Sequence, residues 1–391
     1  MRCKENIVDL PELTQRLKTE SARTRDLLAR ADVCDVLTDG KETLFKVNGR
    51  AYRIEEQTHG QLAGKTGVPK AYYDKMKLDA PELLAENLNH WLHQSKKTHL
   101  VRLMDDAVRA FLSDRYRPIN HLDLVTVAMQ VLCGMDGQAG EAKPHARGAR
   151  CMSWDLTPTM LDVRFVNPAI WVDLEKLDEG LHIDTDLTDD EIEKRIMRRG
   201  LAVDRTDWSD TTVYPSALLY NSETGHGGLG IEPGLMEGLC INFNWYGKSL
   251  EQRHLGKTLE MDDMFSSETY KKMNAVVFSK AADTFRSVFE PEQFLVSCRR
   301  FAGLKEVEID VKDAVDNIVE LPGMTEGLRD DIMQTYLLYK SHGKRKHDNL
   351  FDLNRAVTEV AQKVENPEQA LALEQLGGEL ILTGGDSKLI S

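Results

Sequence analysis

Apolar residues recur at three-to-four spacing through residues 10–32 (LPELTQRLKTESARTRDLLARAD) among good helix formers, which predicts one amphipathic helix. The pattern then changes. In TLFKVNGRAYRI, Leu44 and Phe45 precede Asn48-Gly49, and Tyr52 and Ile54 follow it. Asn-Gly supplies the two positive φ angles of a type I′ turn, so a β-hairpin is expected. Residues 58–94 return to helical spacing, broken at Pro69 and Pro81, with Leu83, Leu84, Leu88, Trp91 and Leu92 on one face. HLVRLMDDAVRAFL alternates on both sides of Asp105-Asp106 and predicts a second hairpin.

Residues 121–134 read as a buried helix ended at Gly134, and Gly137 to Gly148 as a Gly-containing loop. From residue 150 the segments RCMSWDL, MLDVRFVN, TTVYPSALLYNSE and LCINFNWY are β-like. A charged excursion, 171–210, lies among them and holds a Thr188-x-x-Glu191 capping box before a basic-ended helix. From about 262 the chain is mostly helical, over 262–288, 325–340 and 349–376. The expected fold is α+β, a central mostly antiparallel sheet with N-terminal helices and hairpins and a helical C-terminal layer. Its expected division is an N-terminal helix and hairpin (1–57), an α+β core (58–261) and a helical region (262–391).

Composition narrows the function. Fifty Lys and Arg against 64 Asp and Glu leave a formal charge of −14, which argues against a polybasic protein that coats nucleic acid. The charge is uneven: residues 1–140 hold 21 basic and 20 acidic groups, so the remainder carries the deficit. Basic groups there are bunched at Lys143, Arg147 and Arg150, at Lys194 to Arg199, at Arg299 and Arg300, and at Lys344 to Lys346. Six scattered cysteines with no Cys-x-x-Cys predict reduced thiols, and no apolar run predicts a signal peptide or membrane span.

Familiar motifs fail on spacing or context. GQLAGKT (60–66) has three residues between its glycines where a phosphate loop needs four, and Pro69 interrupts the helix that should follow. Gly225-His226-Gly227-Gly228-Leu229-Gly230 fits a dinucleotide pattern, but Ile231-Glu232-Pro233-Gly234 reads as a turn, so a Gly-rich hairpin or bulge between two strands is expected. His90 and His93 lack a third ligand nearby, so neither metal nor cofactor is expected. No catalytic motif is found.

Two polar clusters stand out. In Leu112-Ser113-Asp114-Arg115-Tyr116-Arg117-Pro118, two guanidiniums flank a tyrosine. Such a set grips phosphate and stacks on a base, or forms a buried knot in which Asp114 pairs with Arg115 or Arg117. In Asn221-Ser222-Glu223-Thr224-Gly225, polar groups crowd a strand end, as a ligand site or as an Asx or Ser turn.

These stretches carry a resemblance. QLAGKTGVPKAYYDKM with LLAENLNHWL, VRAFLSDRYRPINHLDL, LLYNSETGHGGLGIEPGLMEGLCINFNW and DNLFDLNRAVTEVAQKVENPEQALALEQLGGELI run in order from about 55 to 380. Together they resemble the phage- and plasmid-encoded family grouped as domain of unknown function 932. After Cys240 that family tends toward Asn-Gly, where this chain has Ile241-Asn242-Phe243-Asn244-Trp245. The resemblance implies a mobile-element setting in the cytoplasm of a bacterial host.

The leading expectation is a DNA-metabolism protein that binds single-stranded DNA and promotes annealing without nucleotide hydrolysis, as a homo-oligomer. Annealing needs a groove for the backbone and no bond chemistry. Its expected groove residues are Arg115, Tyr116, Arg117, Arg147, Arg150 and Trp154, with Arg198 and Arg199 as weaker candidates. The rival is a host-takeover or anti-defence protein that binds a host protein through its acidic surface. An enzyme built on Asn221, Glu223 and His226 has the least support.

Overall fold

The computed structural model describes residues 10–39, 41–132, 148–184, 187–188, 190–192, 211–238, 241–247, 249–254, 267–343 and 347–387. Its architecture is α+β, with two largely antiparallel sheets and a helical C-terminal region.

The first sheet takes its strands from both sides of residue 57, so the expected division there falls inside it. Helix α1 (Leu10–Arg23) runs into β1 (Thr24–Arg30), followed by β2 (Asp35–Thr38), β3 (Thr43–Val47) and β4 (Arg50–Ile54). Then come α2 (Glu56–Thr66), α3 (Lys70–Asp79), α4 (Pro81–Gln94) and the hairpin β5 (Thr98–Met104) and β6 (Ala107–Ser113). The strand order is β1-β5-β6-β4-β3-β2, with only β4 and β6 parallel. Both predicted hairpins form. Asn48 and Gly49 take φ of 50° and 76°, and Val47 pairs with Arg50.

The helix expected over 10–32 stops at Arg23 instead. Thr24–Arg30 pairs along the full length of β5, from Thr24 opposite Met104 to Arg30 opposite Thr98. Seven residues gain a ladder and bury Ala29 on the sheet core, which outweighs a weak helical preference. One face of this sheet packs on α2, α3 and α4 through Phe45, Val101, Leu103 and Phe111 against Leu62, Tyr73, Leu84 and Leu88.

The second sheet contains β7 (Arg150–Leu156), β8 (Leu161–Val166), β9 (Ile170–Asp173), β10 (His182–Ile183), β11 (Thr212–Asn221), β12 (Leu229–Glu237), β13 (Asn242–Trp245) and β14 (Leu250–Gln252). The expected turn at 231–234 is strand: Ile231 to Gly234 pair with Leu219 to Ser216. Gly234 is there because a side chain would collide with the Trp245 ring lying over it. At the start of β13, Ile241 holds φ of +54°, a conformation in which Asn or Gly is at ease. The Thr188–Glu191 capping box is present, with the Glu191 carboxylate accepting from the Thr188 N–H at 2.9 Å.

Part of one face of this sheet packs on α1, α5 (His121–Leu132) and α6 (Ser267–Ser287) through Leu13, Leu17, Leu124, Val125 and Phe285. The C-terminal layer comprises α7 (Pro291–Gly303), α8 (Val311–Val319), α9 (Gly327–Gly343), α10 (Leu350–Lys363) and α11 (Pro367–Thr383). The expected helix 349–376 is two helices, split at Asn366, whose side chain caps the second, and Pro367 at its first position. Every residue of α10 from Leu350 to Gln362 is buried.

Candidate functional site

The two polar clusters meet. Gly225, with φ of +78°, lets the β11–β12 connection approach β6 so closely that any side chain there would overlap Leu112. The Tyr116 hydroxyl donates to the Ser222 carbonyl at 2.8 Å, and Asn221 Nδ2 donates to the Ile119 carbonyl at 2.9 Å. Gln61 of α2 bridges the two layers, accepting the Phe111 N–H at 2.7 Å and donating to the Thr224 carbonyl at 2.6 Å.

At the centre lies Glu223. One of its oxygens accepts the His121 backbone N–H at 2.7 Å, and the other accepts Arg109 Nη1 at 3.2 Å with Arg102 Nη2 at 3.8 Å. A β-bulge aims Arg109: Arg102 pairs with Ala110 and Leu103 with Val108, leaving Arg109 as the extra residue. Arg102 also donates to the Glu223 carbonyl at 3.2 Å and to Asn120 at 2.7 Å, and lies 3.4 Å from Asp26. Burial alone would raise the Glu223 pKa. The guanidiniums of Arg102 and Arg109 and the His121 backbone N–H outweigh that and hold it below the usual carboxylate value. Burial pushes His121 down to about 4, so its ring is neutral at pH 7.

This junction joins the two sheets and holds its charges paired and largely out of water. Its side chains Tyr116 and Arg117 are buried, at 6% and 8% exposure, and the Tyr116 ring is stacked on His254 at 5.2 Å. The Arg117 N–H donates to the His254 carbonyl at 2.8 Å, and its guanidinium donates to the Asp114 carbonyl at 3.1 Å. The expectation that Tyr116 and Arg117 face a nucleic acid is therefore corrected: the ring face and the guanidinium are used internally. Asn221, Ser222, Glu223 and Thr224 are buried in the same junction, and Ser222 Oγ accepts the His226 N–H at 3.0 Å, a serine turn. His226 lies outside it, exposed, beside Thr224.

The other expected groove residues separate. Arg115 is exposed on the β6–α5 loop, while Arg150 and Trp154 are half-buried on β7, which pairs only with β8 among the described residues. Over the Trp154 ring, 5.9 Å from its centroid, lies the Arg16 guanidinium of α1, a contact absent from the sequence reading. Arg147, Arg198 and Arg199 lie outside the described residues.

A second buried charged centre went unnoticed in the sequence. Arg164 of β8, 2% exposed, donates from Nε and Nη2 to Glu374 of α11 at 3.1 and 3.0 Å and from Nη1 to Asp155 at 3.1 Å. Glu374 also accepts from Trp245 Nε1 at 2.7 Å and Gln362 Nε2 at 3.2 Å. The available signal was a lone arginine in the apolar strand MLDVRFVN and a lone glutamate in LALEQLGG.

Among the described residues no group of three or more His, Cys, Asp or Glu is placed to hold a metal. His93 faces Asp35 at 3.0 Å and His90 faces Gln94 at 2.9 Å. No described helix is long and apolar enough to cross a membrane. Comparison with protein-family models, curated proteins and solved structures finds no match for this chain.

Proposed function

We propose that the chain binds single-stranded DNA along the surface of α1 and β7 and promotes annealing of complementary strands. The observation that carries this reading is Arg16 over Trp154 on an outer strand. An arginine paired with an aromatic ring gives a phosphate contact beside a stacking surface. The resemblance to the phage and plasmid family supports the same setting.

The test is a gel-shift series with single- and double-stranded oligonucleotides over a range of salt. Wild-type protein is expected to shift the single strand, less so as salt rises, and Arg16→Glu and Trp154→Ala are expected to weaken the shift about tenfold or more. Absence of any shift at low salt overturns the reading.

A rival is favoured by one observation. Between residues 306 and 331, nine acidic residues face two basic ones, and Glu306, Glu308, Asp310, Asp313 and Glu320 are exposed around α8. A host protein with a basic surface fits that segment. Its signature is capture of one host protein, lost on neutralising the segment, with no oligonucleotide bound.

A further inference from the structure

The first sheet has two edges, and they are treated differently. At β2 the Asn89 side chain of α4 accepts the Val36 N–H at 2.6 Å and donates to the Val36 carbonyl at 2.8 Å, plugging that edge as a strand would. At the other edge, β1 pairs with β5 alone among the described residues. A seven-residue strand with an open ladder is a template for pairing.

We propose that this edge takes a second copy of the chain, β1 against β1, antiparallel about a two-fold axis, with Leu28 opposite the partner's Leu28. The sequence Asp26-Leu27-Leu28-Ala29-Arg30 is complementary to itself in that register. Asp26 falls opposite the partner's Arg30, Leu27 opposite the partner's Ala29, and the same pairs recur across the axis. No like charges are opposed. A one-residue shift, with Leu27 on the axis, sets Asp26 opposite leucine and Arg30 opposite threonine and removes both ion pairs, so the charges select the register.

Both charged side chains are partly open. Asp26 keeps 32% of its side-chain surface beside Arg102, Leu27 and Leu28 are half-buried, and the Arg30 side chain, paired with Asp32, keeps 41% of its surface. Two six-stranded sheets then become one continuous sheet. The contact uses the same patch on both copies, so it closes at a dimer and leaves no open β1 edge for fibre growth.

The experiment is sedimentation of the full chain without nucleic acid, which keeps it separate from the DNA-binding reading. Wild-type protein is expected to be a dimer at micromolar concentration. Asp26→Arg sets arginine against arginine, and Arg30→Asp sets aspartate against aspartate, so each variant alone is expected to weaken the dimer about tenfold or more. Mixed together, the two variants restore both opposite-charge pairs and are expected to form a one-to-one dimer, which a misfolded variant cannot do. A monomeric wild type, variants as dimeric as wild type, or a mixture that stays monomeric each overturns the proposal.

Discussion

Arg109 reaches from the first sheet to Glu223 of the second at 3.2 Å, with 4% and 9% of the two side chains exposed. Removing one member of a buried pair leaves the other charged and uncompensated. Glu223→Gln is expected to cost about 3–5 kcal/mol of stability, and far more than loss of an exposed pair such as Arg53–Asp106. Urea midpoints of Glu223→Gln and Asp106→Asn check this. Equal losses would show that the junction carries no special weight.

Tyr116 separates a structural role from a binding one. Tyr116→Phe keeps the ring on His254 and deletes only the hydroxyl that bonds the Ser222 carbonyl. A loss of about 1–2 kcal/mol in stability is expected, with oligonucleotide binding unchanged. A binding defect at full stability would return Tyr116 to a ligand surface.

Acid should weaken the fold before carboxylates titrate. Burial pushes both His59 and His121 from 6.5 down to about 4. The folded state thus holds them neutral, while the unfolded chain takes up protons first, so stability is whole above pH 6.5 and is lost as pH falls toward 4. Each histidine contributes a slope of up to about 1.4 kcal/mol per pH unit in that window. Glu223, held low, loses its contribution only below its ordinary value of 4.5. Urea midpoints across the window should fall steadily, and His121→Gln should flatten the fall. A midpoint indifferent to pH would contradict neutral burial.

Two glycines should respond oppositely to alanine. A methyl at Gly378 of α11 would overlap the Trp245 carbonyl, so α11 cannot stay against β13, and a loss of more than about 3 kcal/mol is expected. Gly64 in α2 is exposed with nothing near its would-be methyl, so Gly64→Ala should gain about 0.5–1 kcal/mol. Thermal melts of both variants decide it. Tolerance at Gly378 would mean that the helix–strand contact is looser than described.

Local chemistry was the legible part. Asn48-Gly49, Asp105-Asp106, Pro69 and Pro81 mark turns and breaks by backbone geometry that needs no distant partner, and those elements stand where expected. What long-range pairing decides was hidden: β1 reads as helix until β5 is beside it, and Pro233-Gly234 reads as a turn until Trp245 covers it. The site divided along the same line. That Tyr116 and Asn221 belong to polar clusters was visible, but which way Tyr116 points depends on the β11–β12 connection about a hundred residues away, and Arg117 is held by His254, farther still.

Arg164 has a consequence for synthesis. Asp155 is in place early, but Glu374 leaves the ribosome 210 residues after Arg164. The first sheet, complete by Ser113, has every strand it needs in the first third of the chain. The second must wait, its arginine half-answered and its face open, until α11 arrives. A chain cut short before α11 therefore leaves its N-terminal sheet whole and its larger sheet without a charge partner. For this fold, the synthesis of α11 is itself a folding step.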